Sequence, residues 1–140
     1  MNVLLDTNII LDALQSRDPW YKDAQQIFLS AANRQYTGFL TAKSIMDIHY
    51  LMHRSFHSEQ KTRSALQKLL SLFTLLDTTA ADCQQALLSG IRDYEDAVMI
   101  ETASRSHMDY IVTRNPSDFS SSRVPILLPG DFLTVLRESL

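Results

Sequence analysis

Five short runs of strand-forming residues, each set apart from the next by segments with helical spacing, leave this chain few architectures. The runs are Val3-Leu4-Leu5 and residues 36–41, 74–77, 109–113 and 125–128. Between them apolar residues recur three and four apart, as in Ile9, Ile10, Ala13 and Leu14, in Ala24, Ile27, Phe28 and Ala31, and in Ile45, Ile48, Leu51 and Met52. Strands separated by helices require crossover connections, which place the strands parallel and lay helices on both faces of the sheet. The expected fold class is therefore α/β: a three-layer α/β/α sandwich around a mainly parallel sheet of about five strands. The order of the strands does not follow from the pattern.

Punctuation refines this outline. Asp18-Pro19 reads as an N-cap with proline in the first helical position. The polar break His57-Ser58-Glu59 folds the third and fourth helices into a hairpin, and Gly90 is placed to end the fifth. At 140 residues and 45% hydrophobic the chain can fill one core, and with three Gly, four Pro and no repeat it offers no linker. A single domain over residues 1–140 is expected.

The start Met1-Asn2-Val3 lacks a basic region, and no segment approaches the roughly 18 apolar residues of a membrane span. No membrane association is expected. A lone cysteine, Cys83, cannot form an internal disulfide and fits a reducing cytoplasm. The formal charge of −3 means that bulk electrostatics does not draw the chain to nucleic acid. Arg54, Lys61, Arg63 and Lys68 lie close in sequence, as solvated helix faces or as a local patch.

The apolar run at the start ends in Asp6, and a new helical pattern begins at once after Thr7-Asn8. In open parallel sheets ligands bind outside the carboxyl ends of the strands, where Asp6 would project. Capping the following helix is the competing role. Asp47 falls at the margin of the apolar stripe of its helix. Asp96 shares a helical face with Ile100 and Ala103, although Asp93 and Asp96 also suit the first turn of a helix, where acids meet exposed N–H groups. After the fourth strand, Thr113-Arg114-Asn115-Pro116-Ser117-Asp118 crowds polar groups into one loop, the kind of segment that carries function or simply turns. Asp6, Asp47, Asp96 and Asp118 would meet near one sheet edge. Carboxylates held that close need protonation or a cation, and an all-oxygen set favours Mg²⁺ or Mn²⁺.

Together, Leu-Leu-Asp6-Thr-Asn8, Tyr-Glu-Asp96-Ala and Val-Thr113-Arg-Asn115-Pro-Ser-Asp118-Phe resemble, in order and spacing, the PIN-domain family, in particular the ribonuclease toxins of bacterial toxin–antitoxin pairs. The resemblance covers nearly the whole chain. It implies a metal-dependent endoribonuclease acting on RNA, with Asp6 and Asp96 as principal metal ligands, Asp118 as a further acidic ligand, Asp47 as a fourth catalytic acid, and Asn8, Thr113 and Asn115 orienting ligands or substrate. It also implies a small antitoxin protein as partner and a homodimer. Two departures stand out: the family usually has Glu where Asp47 stands, and Asn115 occupies a position that is acidic in some relatives.

Three other readings compete. His49 and His53, at i and i+4 with His57 beyond, have the spacing of a zinc-binding helix, but Tyr50 stands where a zinc protease carries its Glu. A strand followed by Asp6-Thr7-Asn8 also resembles aspartyl-phosphate phosphotransferases and phosphatases, which need a second Asp where Asn8 stands. A catalytically weak or silent RNA- or protein-binding module is the third.

Overall fold

The first strand, β1 (Asn2–Leu5), lies at the centre of a five-stranded sheet whose other members are β2 (Thr37–Thr41), β3 (Thr74–Leu76), β4 (Tyr110–Val112) and β5 (Ile126–Leu127). The order is β3-β2-β1-β4-β5 and every pairing is parallel. This is a computed structural model, which describes residues 1–116 and 122–139. Among the described residues the helices are α1 (Thr7–Leu14), α2 (Tyr21–Ala32), α3 (Ala42–Phe56), α4 (Glu59–Leu72), α5 (Ala80–Leu88), α6 (Tyr94–Arg105) and α7 (Pro129–Glu138).

Alternation along the central strand decides the layers. Val3 and Leu5 point to one face, where they join Leu40, Val112 and the apolar sides of α1, α2, α3 and α7. Leu4 points to the other and packs with Ile100, Ala103 and Ile111. Val3, Leu4 and Leu5 are all fully enclosed, as a strand covered by helices on both faces requires. The expected α/β/α sandwich is the fold observed, and its sheet is parallel throughout.

Close packing explains a small residue in β2. A Cβ on Gly38 would come within 2.5 Å of Phe73 Cδ1, and the Phe73 ring in turn stacks edge-on against Phe28, with centroids 5.1 Å apart. On the same side of the sheet Tyr36 meets Phe132 edge-on at 5.0 Å and donates its hydroxyl to the Ile27 carbonyl at 2.9 Å. Burial pushes the Tyr36 phenol well above its ordinary pKa.

The hairpin of α3 and α4 turns as expected: His57 takes a left-handed conformation (φ 53°) and Ser58 caps α4 by accepting the Lys61 amide. Two punctuation marks fall elsewhere. Pro19 lies in the turn before α2, which starts at Tyr21 with Trp20 as its N-cap. Gly90 does not end α5; the helix stops at Leu88, and extended Ser89 donates its hydroxyl to the Ala86 carbonyl at 2.7 Å. A serine satisfying a terminal carbonyl removes the need for a left-handed glycine. Among the described residues no helix is long and apolar enough to cross a membrane.

Candidate active site

The chain leaves β1 toward β2 and β3 on one side, then returns to pair β4 on the other. The carboxyl ends of β1 and β4 thus flank the point where strand order reverses, where open α/β sheets bind ligands. Asp6 directly follows β1 and Thr113 directly follows β4. The Asp6 amide donates to the Val112 carbonyl at 3.0 Å, and the Thr113 hydroxyl donates to Asp6 Oδ2 at 2.9 Å. Thr113 Oγ1 also accepts the Asn115 amide at 3.2 Å, so the loop after β4 is tied through one buried hydroxyl to the carboxylate at the end of β1.

Asp6 occupies the N-cap position of α1 with an extended backbone (φ −66°, ψ 148°), yet its side chain makes no capping hydrogen bond. The carboxylate turns instead to Thr113 and to a cleft of about 770 Å³. Burial raises the Asp6 pKa above the ordinary carboxylate value, against the Thr113 hydroxyl, the Thr7 amide and the charge of Arg114, which lower it.

The same cleft is lined by Asn8, Asp47, Asp96 and Asn115. Asp96 stands in the first turn of α6, and the capping there is done by Asp93, whose carboxylate accepts the Asp96 amide at 3.1 Å. Of the two roles left open for this pair, capping falls to Asp93. Asp47 lines the cleft from α3 in an ion pair with Lys43 at 2.5 Å, and Lys43 also reaches Glu95 at 3.4 Å. Asp118 lies outside the described residues.

Several participants had no signal strong enough to single them out. Thr7 and Thr41 both donate to Ser44 Oγ, at 2.8 and 3.1 Å, which joins the starts of α1 and α3 along the cleft wall. Asp12 is fully enclosed; it accepts from Arg114 Nε at 2.9 Å and lies 3.9 Å from Arg17 Nη1. The guanidinium of Arg114 sits 3.9 Å from the centroid of the Trp20 ring. An acid at i+3 from Ile9, inside an apolar stripe, was the available clue to Asp12.

Asp6, Asp47, Asp96, Asn8 and Asn115 each offer the cleft an oxygen donor. Among the described residues no three His, Cys, Asp or Glu side chains form a group that could hold a metal ion by themselves. Mg²⁺ is commonly held by one or two carboxylates and retains several waters, so the residues present fit such an ion. The histidine stripe of α3 does something else: His49 and His53 stack with centroids 6.0 Å apart and both reach Glu59 of α4, at 3.0 and 3.6 Å. The four clustered cations also part company. Arg63 pairs with Glu59, Arg54 covers Tyr50, and Lys61 and Lys68 line an apolar groove on α4.

A family model described as PIN domain matches residues 2–117. The chain belongs to the PIN-domain family. Among curated protein sequences nothing matches it at a significant level. By structure it is similar to a protein of the VapBC2 complex of Rickettsia felis bound to a promoter DNA fragment, with 21% identity, TM-score 0.65, and coverage of 91% of this chain and 98% of that one. It is also similar to a chain of a toxin–antitoxin complex from Klebsiella pneumoniae, with 22% identity, TM-score 0.67, and 91% and 97% covered. A third likeness is to VapC20 of Mycobacterium tuberculosis, a toxin that cleaves the sarcin–ricin loop, with 14% identity, TM-score 0.62, and 78% and 86% covered. The PIN fold accounts for the strand order that brings Asp6 and Thr113 together, since the likeness covers nearly all of this chain and of the R. felis and K. pneumoniae chains.

Proposed function

We propose that this PIN-domain chain is a metal-dependent endoribonuclease, the toxin of a toxin–antitoxin pair, which hydrolyses phosphodiester bonds of RNA with Mg²⁺ or Mn²⁺. The observation that carries the reading is Asp6 itself: a partly desolvated carboxylate that forgoes its cap bond, is oriented by Thr113, and shares a cleft with Asp96 at the switch point of the sheet. Family membership and the likeness to toxins of such pairs support it.

Asp6 and Asp96 would hold the cation, with Asp118 as a further acidic ligand. Bound there, the ion supplies positive charge that activates water and offsets charge developing at the scissile phosphate. Thr113 keeps the Asp6 carboxylate in one orientation, so less reorganisation is needed when substrate binds. Asn8 and Asn115 present amide groups suited to phosphate or ribose oxygens. Asp47, one methylene shorter than the Glu common in the family and already paired with Lys43, acts through an intervening water. Asn8 lacks the acid that aspartyl-phosphate chemistry needs at its position, which sets that alternative aside.

An antitoxin segment is the partner this reading calls for. A groove of about 720 Å³ lined by Leu14, Phe28, Phe56, Leu69 and Leu72, with Lys61 and Lys68 beside them, suits a segment carrying both apolar and acidic side chains. Self-association as a homodimer belongs to the same reading.

The direct test is cleavage of a mixed RNA pool by the purified chain with Mg²⁺ or Mn²⁺. EDTA should abolish it, and Asp6→Asn and Asp96→Asn should each lower the rate by about a hundredfold or more, as loss of a preorganised electrostatic group does. Cleavage that persists in EDTA and in both variants would remove the proposal.

A further inference from the structure

The cleft that holds Asp6 and Asp96 is also lined by two tyrosines from different helices, Tyr50 of α3 and Tyr94 of α6. They are 61% and 45% exposed. A single exposed aromatic needs no explanation, but two that line the cleft shared by the candidate metal ligands form a pattern. Tyr94 donates its hydroxyl to the Cys83 carbonyl at 2.9 Å, so what it offers the cleft is its ring, held in place. Tyr50 has the Arg54 guanidinium 5.7 Å from its ring centroid, and Arg54 makes no ion pair among the described residues. Lys43, Asp47, Tyr50 and Arg54 follow at intervals of four, three and four, a single stripe of α3 roughly 16 Å long.

Charge makes the rings necessary. RNA binding usually draws its affinity from release of counterions by Lys and Arg, whereas this chain carries −3 overall and its cleft holds several carboxylates, with Lys43 committed to Asp47 and Glu95. Stacking on aromatic rings supplies affinity that does not depend on positive charge, and it is available to bases only when they are unpaired. We propose that Tyr50 and Tyr94 are a stacking subsite for unpaired nucleotides flanking the scissile phosphate, which restricts the substrate to single-stranded RNA or loops; the proposal rests on the ribonuclease reading above. Arg54 backs the Tyr50 ring and meets the sugar–phosphate chain beyond it.

The test uses the full-length Asp6→Asn chain, which should bind without cutting, and fluorescence anisotropy with a short unstructured RNA and with the same strand annealed to its complement. The single strand should bind more tightly than the duplex and with a shallow salt dependence. Tyr50→Ala and Tyr94→Ala should each weaken single-strand binding about fivefold or more, while Tyr50→Phe and Tyr94→Phe retain it. In the cleaving chain the alanine variants should raise KM more than they lower kcat. Circular dichroism identifies any variant that has lost its fold, and the phenylalanine variants then decide. Equal affinity of the alanine variants and their parent, or equal loss in phenylalanine and alanine variants, overturns the subsite and leaves the ribonuclease reading intact. A wild-type chain that neither cuts nor binds any RNA with Mg²⁺ or Mn²⁺ overturns both.

Discussion

Asp12 and Arg114 lie 102 positions apart and form the most enclosed ion pair near the cleft, with Asp12 fully buried and the Arg114 side chain 18% exposed. Removing one partner of such a pair costs more than the pair contributes, because the other charge stays behind without water. Arg114→Met leaves enclosed Asp12 with Arg17, 3.9 Å away, as its remaining ion-pair partner among the described residues, and should destabilise the chain by about 3 kcal/mol. Asp12→Asn should cost less, since Arg114 keeps Trp20 and some solvent. Urea unfolding of both single variants and the double variant checks this, and a double-mutant coupling near zero would show that the two charges act separately. Sequence reasoning singled out Asp6 and Asp96 as candidates because each stands at a strand end or a helix start. It passed over Asp12 because its partner is identified only once β1 is known to lie beside β4, and strand order is not written in local periodicity.

At the scale of elements, periodicity and capping chemistry located every helix and strand of the described chain, and two boundaries fell away from the Pro and Gly expected to set them. Ser89 closes α5 in place of Gly90, and the turn through Pro19 delays α2 to Tyr21. The joint between α3 and α4 makes a pH prediction. Arg63 of α4 and His49 of α3 hold the Glu59 carboxyl down to about 2, well below its ordinary value. A carboxyl with a depressed folded pKa contributes stability that is fully present above its unfolded pKa of about 4.5 and is lost as pH falls toward 2. The difference in melting temperature between wild type and Glu59→Gln should therefore close progressively as pH falls below about 5. Because these side chains are exposed, the difference is small and should shrink further in high salt. A gap independent of pH from 6 to 2, measured by thermal unfolding, would assign the effect of Glu59 to something other than its charge.

At the scale of the whole molecule, strand order and the cleft are coupled through Asp6. Bringing β1 beside β4 buries Asp6, and burial raises its pKa; the folded chain therefore holds a proton there more tightly than the unfolded one. The sign follows: relative to Asp6→Asn, wild type loses stability as pH rises through the folded pKa, so at neutral pH and in EDTA the variant should melt no lower than wild type. A divalent ion that binds only the folded chain reverses the balance. At about 100 times its dissociation constant it adds roughly 2.7 kcal/mol, which for a chain of this size raises Tm by roughly 8 °C. On the proposed reading Asp6→Asn removes both the desolvated charge and a ligand, so it should lose most of that shift while melting no lower than wild type without metal. Thermal unfolding of both chains across an Mg²⁺ titration separates a ligand from a structural carboxylate. Identical Mg²⁺ responses would mean that Asp6, for all its placement at the switch point, holds the β1–β4 junction together through Thr113 and takes no part in binding the ion.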